Sequence, residues 1–154
     1  MGLKVYLPLA LIVFLAGTTG ADLIARTSIA GEPFGAALQE HLYYYAGVQI
    51  VGTAFLLTPF LAVAYLCART EEKARGRMVF LIFSAAMLVL LYFYFQGHQA
   101  AQYALLEEKW TASALAVGML PFYPGIPLVL AVLIAGKAAA KWDPRAFGED
   151  RNQA

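Results

Sequence analysis

Apolar residues gather into four long runs, at about residues 5–25, 45–68, 78–97 and 112–136, separated by short polar connections. The runs are apolar on every side rather than along one stripe. Each approaches the ~20 residues a helix needs to cross a ~30 Å hydrocarbon layer. Barrel strands would instead alternate apolar and polar positions over about 10 residues. The pattern predicts an all-α, four-transmembrane-helix bundle. It forms a single integral membrane domain over residues 1–154, with 143–154 as a flexible tail. The first run has the Lys4, apolar stretch and small "TTGA" residues of a secretory leader. Its apolar character continues to Ala25, so a retained helix is expected.

The two central helices are expected to outrun the membrane. Pro33 suits a first helical turn, and only Pro59 interrupts the pattern before Ala68, a helix of ~54 Å at 1.5 Å per residue. From Met78 to Glu108 nothing stronger than Gly97 intervenes. These arms form a long central helical hairpin projecting on the outer face. Counting outward from Ala68 and Met78 pairs residues of equal depth. Gln49 then lies level with Gly97 and His98, Thr53 with Phe93, Tyr45 with Ala101 and His41 with Leu105. The two histidines are thereby offset by roughly 10 Å, which argues against one shared site.

The last run contains "MLPFYPGIPLVL". Pro121, Pro124 and Pro127 either break the span and mark a binding site, or stand where the span begins. The second reading is preferred, and it makes the preceding segment an outer helix lying along or above the membrane. Small residues at four-residue spacing, Ala16 with Gly20 and Ala114 with Gly118, are candidate helix contacts.

Charge supplies direction. Lys4, Arg69, Lys73, Arg75, Arg77, Lys137, Lys141, Arg145 and Arg151 fall on one side, against Arg26 and Lys109 on the other. The excess of basic residues predicts both termini cytoplasmic, in a plasma membrane and by the Ala- and Leu-rich composition a bacterial inner one. The outer side carries Asp22, Glu32, Glu40, Glu107 and Glu108 and is net negative. Composition agrees: 61% hydrophobic and 14% charged residues leave too few charges to cover a soluble globule. The basic clusters flank apolar runs instead of forming a stripe, so nucleic acid is not an expected partner. The lone Cys67 excludes an internal disulfide, a cysteine metal cluster and a quinone-linked disulfide oxidase.

Candidate chemistry is sparse. His41 and His98 could serve as haem or metal ligands, but their offset favours hydrated interfacial histidines and no metal site is assigned. Gln49 carries an amide near the outer edge of a span, with His98 or Gln96 as its expected partner across the hairpin. Tyr45 in "YYY" and Tyr94 in "YFYF" read first as an outer aromatic belt and second as a cage for a quinone, pigment or lipid. Asp22, the one acid within a span, reads as a snorkelling or capping group. No nucleophile–base spacing, phosphate loop or filter appears, so catalysis is not expected.

Three roles follow. The leading one is a non-catalytic membrane protein acting by association, as a homo-oligomer or with other membrane subunits, in contact with membrane lipid. The second is an oligomeric channel or transporter lined by Gln49, Thr53, Thr58 and Ser84. The third is a subunit binding quinone, haem or lipid at the outer aromatic belt.

Overall fold

A computed structural model describes residues 2–142. The predicted tail at 143–154 lies outside the described residues. Six α-helices and two π-helical segments follow in order, with no strand among the described residues. They are α1 (Leu3–Ser28), α2 (Phe34–Leu42), a π segment (Tyr43–Val48), α3 (Ile50–Glu71), α4 (Gly76–Leu106), α5 (Trp110–Gly118), a second π segment (Pro121–Gly125) and α6 (Ile126–Trp142).

Four helical stretches are long and apolar enough to cross a membrane: Leu3–Ser28, Ile50–Glu71, Gly76–Leu106 and Trp110–Trp142. Only 28–33% of their most apolar windows is buried inside the bundle. Ile12, Val51, Leu88 and Ile134 are each more than half exposed. So much uncovered hydrocarbon is untenable in water and natural in lipid. Four candidate spans of this kind are consistent with an integral membrane protein.

The bundle closes around an aromatic spine. α1 packs against α3 and α4, and α6 packs on the opposite side of the same pair. Phe14 of α1 meets Phe60 of α3 edge-on at 5.3 Å, and Phe60 meets Tyr94 of α4 at 5.1 Å. Below them Tyr6 contacts Phe83 at 5.0 Å. Tilted and edge contacts of this kind add to the burial of large rings. Pro59 sits inside α3 and deprives the Phe55 carbonyl of its usual donor. The Thr58 hydroxyl donates to that carbonyl at 2.7 Å, and the Tyr94 hydroxyl donates to the neighbouring Leu56 carbonyl at 2.6 Å. The backbone around Pro59 is thus hydrogen-bonded from both helices, as backbone at membrane depth requires. At the opposite end the Gly2 backbone N–H donates to the Glu71 carboxylate at 2.6 Å and ties the start of α1 to the α3–α4 turn. A side chain at Gly76 would place its Cβ 2.5 Å from the same carboxylate.

The expected uninterrupted helix over residues 33–68 is broken. Residues Tyr43–Val48 are π-helical, and Gln49 leaves helical geometry at φ −108°, ψ 26°. Thr53 repairs the break, its hydroxyl lying 2.9 Å from the Tyr45 carbonyl and 3.0 Å from that of Gln49. The outer arms do not stand alone, for α2 packs on α1 and α5 packs on α4. The prolines do not simply begin the last span. α5 runs through a short turn into the π segment and on into α6. There a Cβ at Gly125 would lie 3.0 Å from the Pro59 ring, so the break serves close packing on α3. The expected small-residue contacts are also displaced. Gly20 and Gly118 meet nothing within 4 Å, whereas Gly97 faces Leu120 and Gly136 faces Thr70 at contact distance.

Candidate ligand-binding site

At the end of the bundle holding the α1–α2 and α4–α5 connections, charged groups are buried together. Asp22 and Arg26 are one turn apart on α1, and Arg26 Nε donates to Asp22 Oδ2 at 3.0 Å. Gly31, at φ 70°, and Pro33, in extended geometry, turn the chain so that α2 returns against α1. That return delivers Glu40, 2.6 Å from Arg26 Nη1, and His41, whose Nδ1 donates to Asp22 Oδ2 at 2.9 Å. Glu32 lies 3.5 Å from the same guanidinium nitrogen. His41 is 5% exposed and Asp22 8%, so each depends on its partners. His41 is therefore not a hydrated interfacial histidine, and Asp22 neither snorkels nor caps.

His41 Nε2 lies 3.0 Å from the Thr19 hydroxyl. Thr19, His41 and Asp22 thus stand in the hydroxyl–imidazole–carboxylate order of a nucleophilic triad. The cavity described below is lined by Asp22 and not by Thr19. The bonds of His41 to Thr19 and Asp22 bridge α2 to α1.

A second buried group adjoins the first through Tyr45. The Tyr45 ring stacks on His41 at 4.5 Å and lies 6.1 Å from the His98 ring. His98 Nδ1 is 2.7 Å from the Tyr94 carbonyl, which can only accept. The proton therefore sits on Nδ1, and in the neutral ring Nε2 accepts from the Tyr45 hydroxyl at 2.7 Å. His98 is 3% exposed. The two histidines do not share a contact of their own; one tyrosine ring lies between them, 4.5 Å from His41 and 6.1 Å from His98. The expected Gln49–His98 bond is also absent, because Tyr45 and Tyr94 take both ring nitrogens. Neither histidine keeps a nitrogen free for haem iron, and no group of three His, Cys, Asp or Glu is placed to hold a metal among the described residues.

Beside these groups opens a half-enclosed cavity of about 610 Å³, within the usual range for small-ligand sites. Its walls are three stripes at helical spacing. Tyr45, Gln49, Gly52 and Leu56 come from the first π segment and the start of α3, His98, Ala101, Gln102 and Leu105 from α4, and Trp110, Ser113, Ala114 and Val117 from α5. Asp22, Arg26, Glu32 and Glu40 close the polar end. Lys109 lies in the α4–α5 turn beside Trp110, and its ammonium donates to Glu107 at 2.7 Å, holding that carboxyl below its ordinary range. A second hollow at the other end, beside Gly2, Tyr65 and Glu72, has less than half this volume, about 290 Å³.

Of the residues singled out from sequence, Asp22, Tyr45, Gln49 and His98 share this cavity wall, and His41 supports it from behind. Gln96 is exposed on another face of α4. Tyr94 belongs to the core, and the hydroxyls of Thr53 and Thr58 bond carbonyls of their own helix. A pore wall of Gln49, Thr53, Thr58 and Ser84 thereby loses two polar members. Pro121 and Pro124 are buried and Pro127 exposed, and none of them lines the cavity. Gln102 and Ser113 were missed, as was the pairing of Arg26 with three carboxylates. Gln102 lies one turn beyond His98, so the stripe was present in the sequence to be followed.

Compared with known proteins, the chain matches no family model, no curated sequence and no solved structure.

Proposed function

We propose that the chain is a non-catalytic membrane subunit that holds an amphiphilic molecule, of the lipid or quinone kind, in the cavity between α1, α3, α4 and α5. One observation carries this reading. The cavity joins an ionic end, at Asp22, Arg26, Glu32 and Glu40, to an apolar wall of Phe55, Leu56, Leu105 and Val117. A head and a hydrocarbon chain would each find a matching environment. α2 packs on α1 and α5 on α4, while Leu42, Tyr43, Tyr103 and Leu106 stay more than half exposed, so the arms keep apolar surface for association. The distribution of basic residues supports cytoplasmic termini, and the Ala- and Leu-rich composition supports a bacterial inner membrane.

The test is extraction of the purified protein and mass spectrometry of what remains bound after exhaustive detergent exchange. A near-stoichiometric amphiphile is expected, and Ala114→Phe, which fills the cavity, should remove it. Absence of any retained molecule, or retention unaltered by Ala114→Phe, refutes the proposal.

A further inference from the structure

Charge and hydrogen-bonding capacity around the cavity narrow the ligand. Three carboxylates, Asp22, Glu32 and Glu40, surround a single guanidinium, Arg26. Even with His41 protonated, negative charge exceeds positive. Lys109, the other cation at this end, is held by Glu107, with Glu108 next to it. An anionic head entering here meets net repulsion, and two of the three Arg26 nitrogens, Nε and Nη1, are already directed at carboxylates.

Two further side chains point to a ligand independently of the charges. Gln102 is 8% exposed and Ser113 9%, both line the cavity, and neither has a hydrogen-bond partner among the described residues. Their polar atoms open onto the cavity, where a bound donor would pair with them. Both offer an oxygen acceptor to an N–H group. Tyr44 and Trp110, also in the wall, provide aromatic faces of the kind that attract cations.

We infer that the cavity selects an amphiphile with a cationic ammonium head on a hydrocarbon chain. This rests on the amphiphile-binding function proposed above. The ammonium presents three donors, which suit the Glu32 and Glu40 carboxylates together with an oxygen of Gln102 or Ser113. Its chain lies along Phe55, Leu56, Leu105 and Val117.

The experiment uses the full chain in nanodiscs of zwitterionic lipid. A Trp142→Phe background leaves Trp110, at the cavity, as the only tryptophan. Dodecylammonium, dodecanol and dodecanoate, which share one chain length, are titrated at trace loading against Trp110 fluorescence. Dodecylammonium should saturate the signal at a concentration at least about tenfold below dodecanoate, the scale of one hydrogen bond to a charged group. The double substitution Glu32→Gln, Glu40→Gln should abolish that preference. Gln102→Leu, which leaves every ion pair intact, should weaken dodecylammonium severalfold. Saturable binding that does not favour the ammonium, or a preference unaltered in both variants, overturns the inference while amphiphile binding stands. If none of the three probes binds saturably, the proposed function itself fails.

Discussion

Replacing Asp22 tests whether the buried charges hold α2 against α1. The carboxylate accepts two charge-assisted hydrogen bonds, from His41 Nδ1 at 2.9 Å and from Arg26 Nε at 3.0 Å. The Asp22 and Arg26 side chains are only 11% and 13% exposed, so water replaces little of what is lost. Asp22→Ala leaves the His41 N–H buried without an acceptor, at about 1–3 kcal/mol. Arg26 keeps Glu40 at 2.6 Å and Glu32 at 3.5 Å, so its share falls to about 1 kcal/mol. The sum is about 2–4 kcal/mol. Asp22→Asn retains an oxygen for His41 and should cost only about 1–2 kcal/mol. Equilibrium unfolding in mixed micelles, titrated with dodecyl sulfate, measures both. In a His41→Ala background Asp22→Ala should cost less by about 1–2 kcal/mol, the coupling of the pair. Equal effects of Ala and Asn, or no coupling to His41, would refute the assigned bonding.

Other expectations are as direct. Tyr45→Phe removes the donor to His98 Nε2 and should destabilise by about 1–2 kcal/mol in the same assay, with Tyr44→Phe, whose hydroxyl has no recorded partner, near zero. Gly97→Ala places a Cβ 2.8 Å from Leu120 Cδ1 and 3.1 Å from the Ala116 carbonyl oxygen and should cost about 1–3 kcal/mol. Gly118→Ala, with nothing within 4 Å, should be neutral or stabilising by about 0.5–1 kcal/mol, and thermal unfolding of the two variants should separate in opposite directions. Cys67 is buried and is the only cysteine, so it forms a silent background for labelling. In intact cells an impermeant maleimide should modify Glu107→Cys and spare Lys73→Cys, and the reverse pattern would overturn the proposed orientation.

The architecture was legible because lipid imposes a simple demand. Four all-round apolar runs of span length admit few alternatives, and the described helices bracket all four. Hairpin register was legible as well: Tyr45 with His98 and Tyr94 with Leu56 both fall about one turn from the depth count. Depth alone could not tell which face a residue occupies. Asp22 and His41 were assigned to water because they lie near a span's end, yet α2 folds back and covers them. The angle of that return depends on Gly31 and Pro33, whose joint effect is tertiary. The π segment was illegible for a related reason. Its sequence, "YYYAGV", has no marker beyond a permissive glycine, and the choice between turn widths is decided by what packs outside it. The Thr19–His41–Asp22 alignment combines residues 22 positions apart on two helices, which no local spacing reveals.

The π segment has a further consequence for how this chain tolerates change in length. A π turn holds one residue more than the α turn it replaces, so Tyr43–Val48 is in effect a built-in insertion. Deleting one residue there would restore regular α geometry and relieve the backbone. It would also rotate α2 by about 100° relative to α3, carrying Glu40 and His41 away from α1. Substitutions along this stretch can be absorbed one at a time, but its residue count cannot. The cavity is therefore encoded as much by the number of residues between His41 and Thr53 as by their identity.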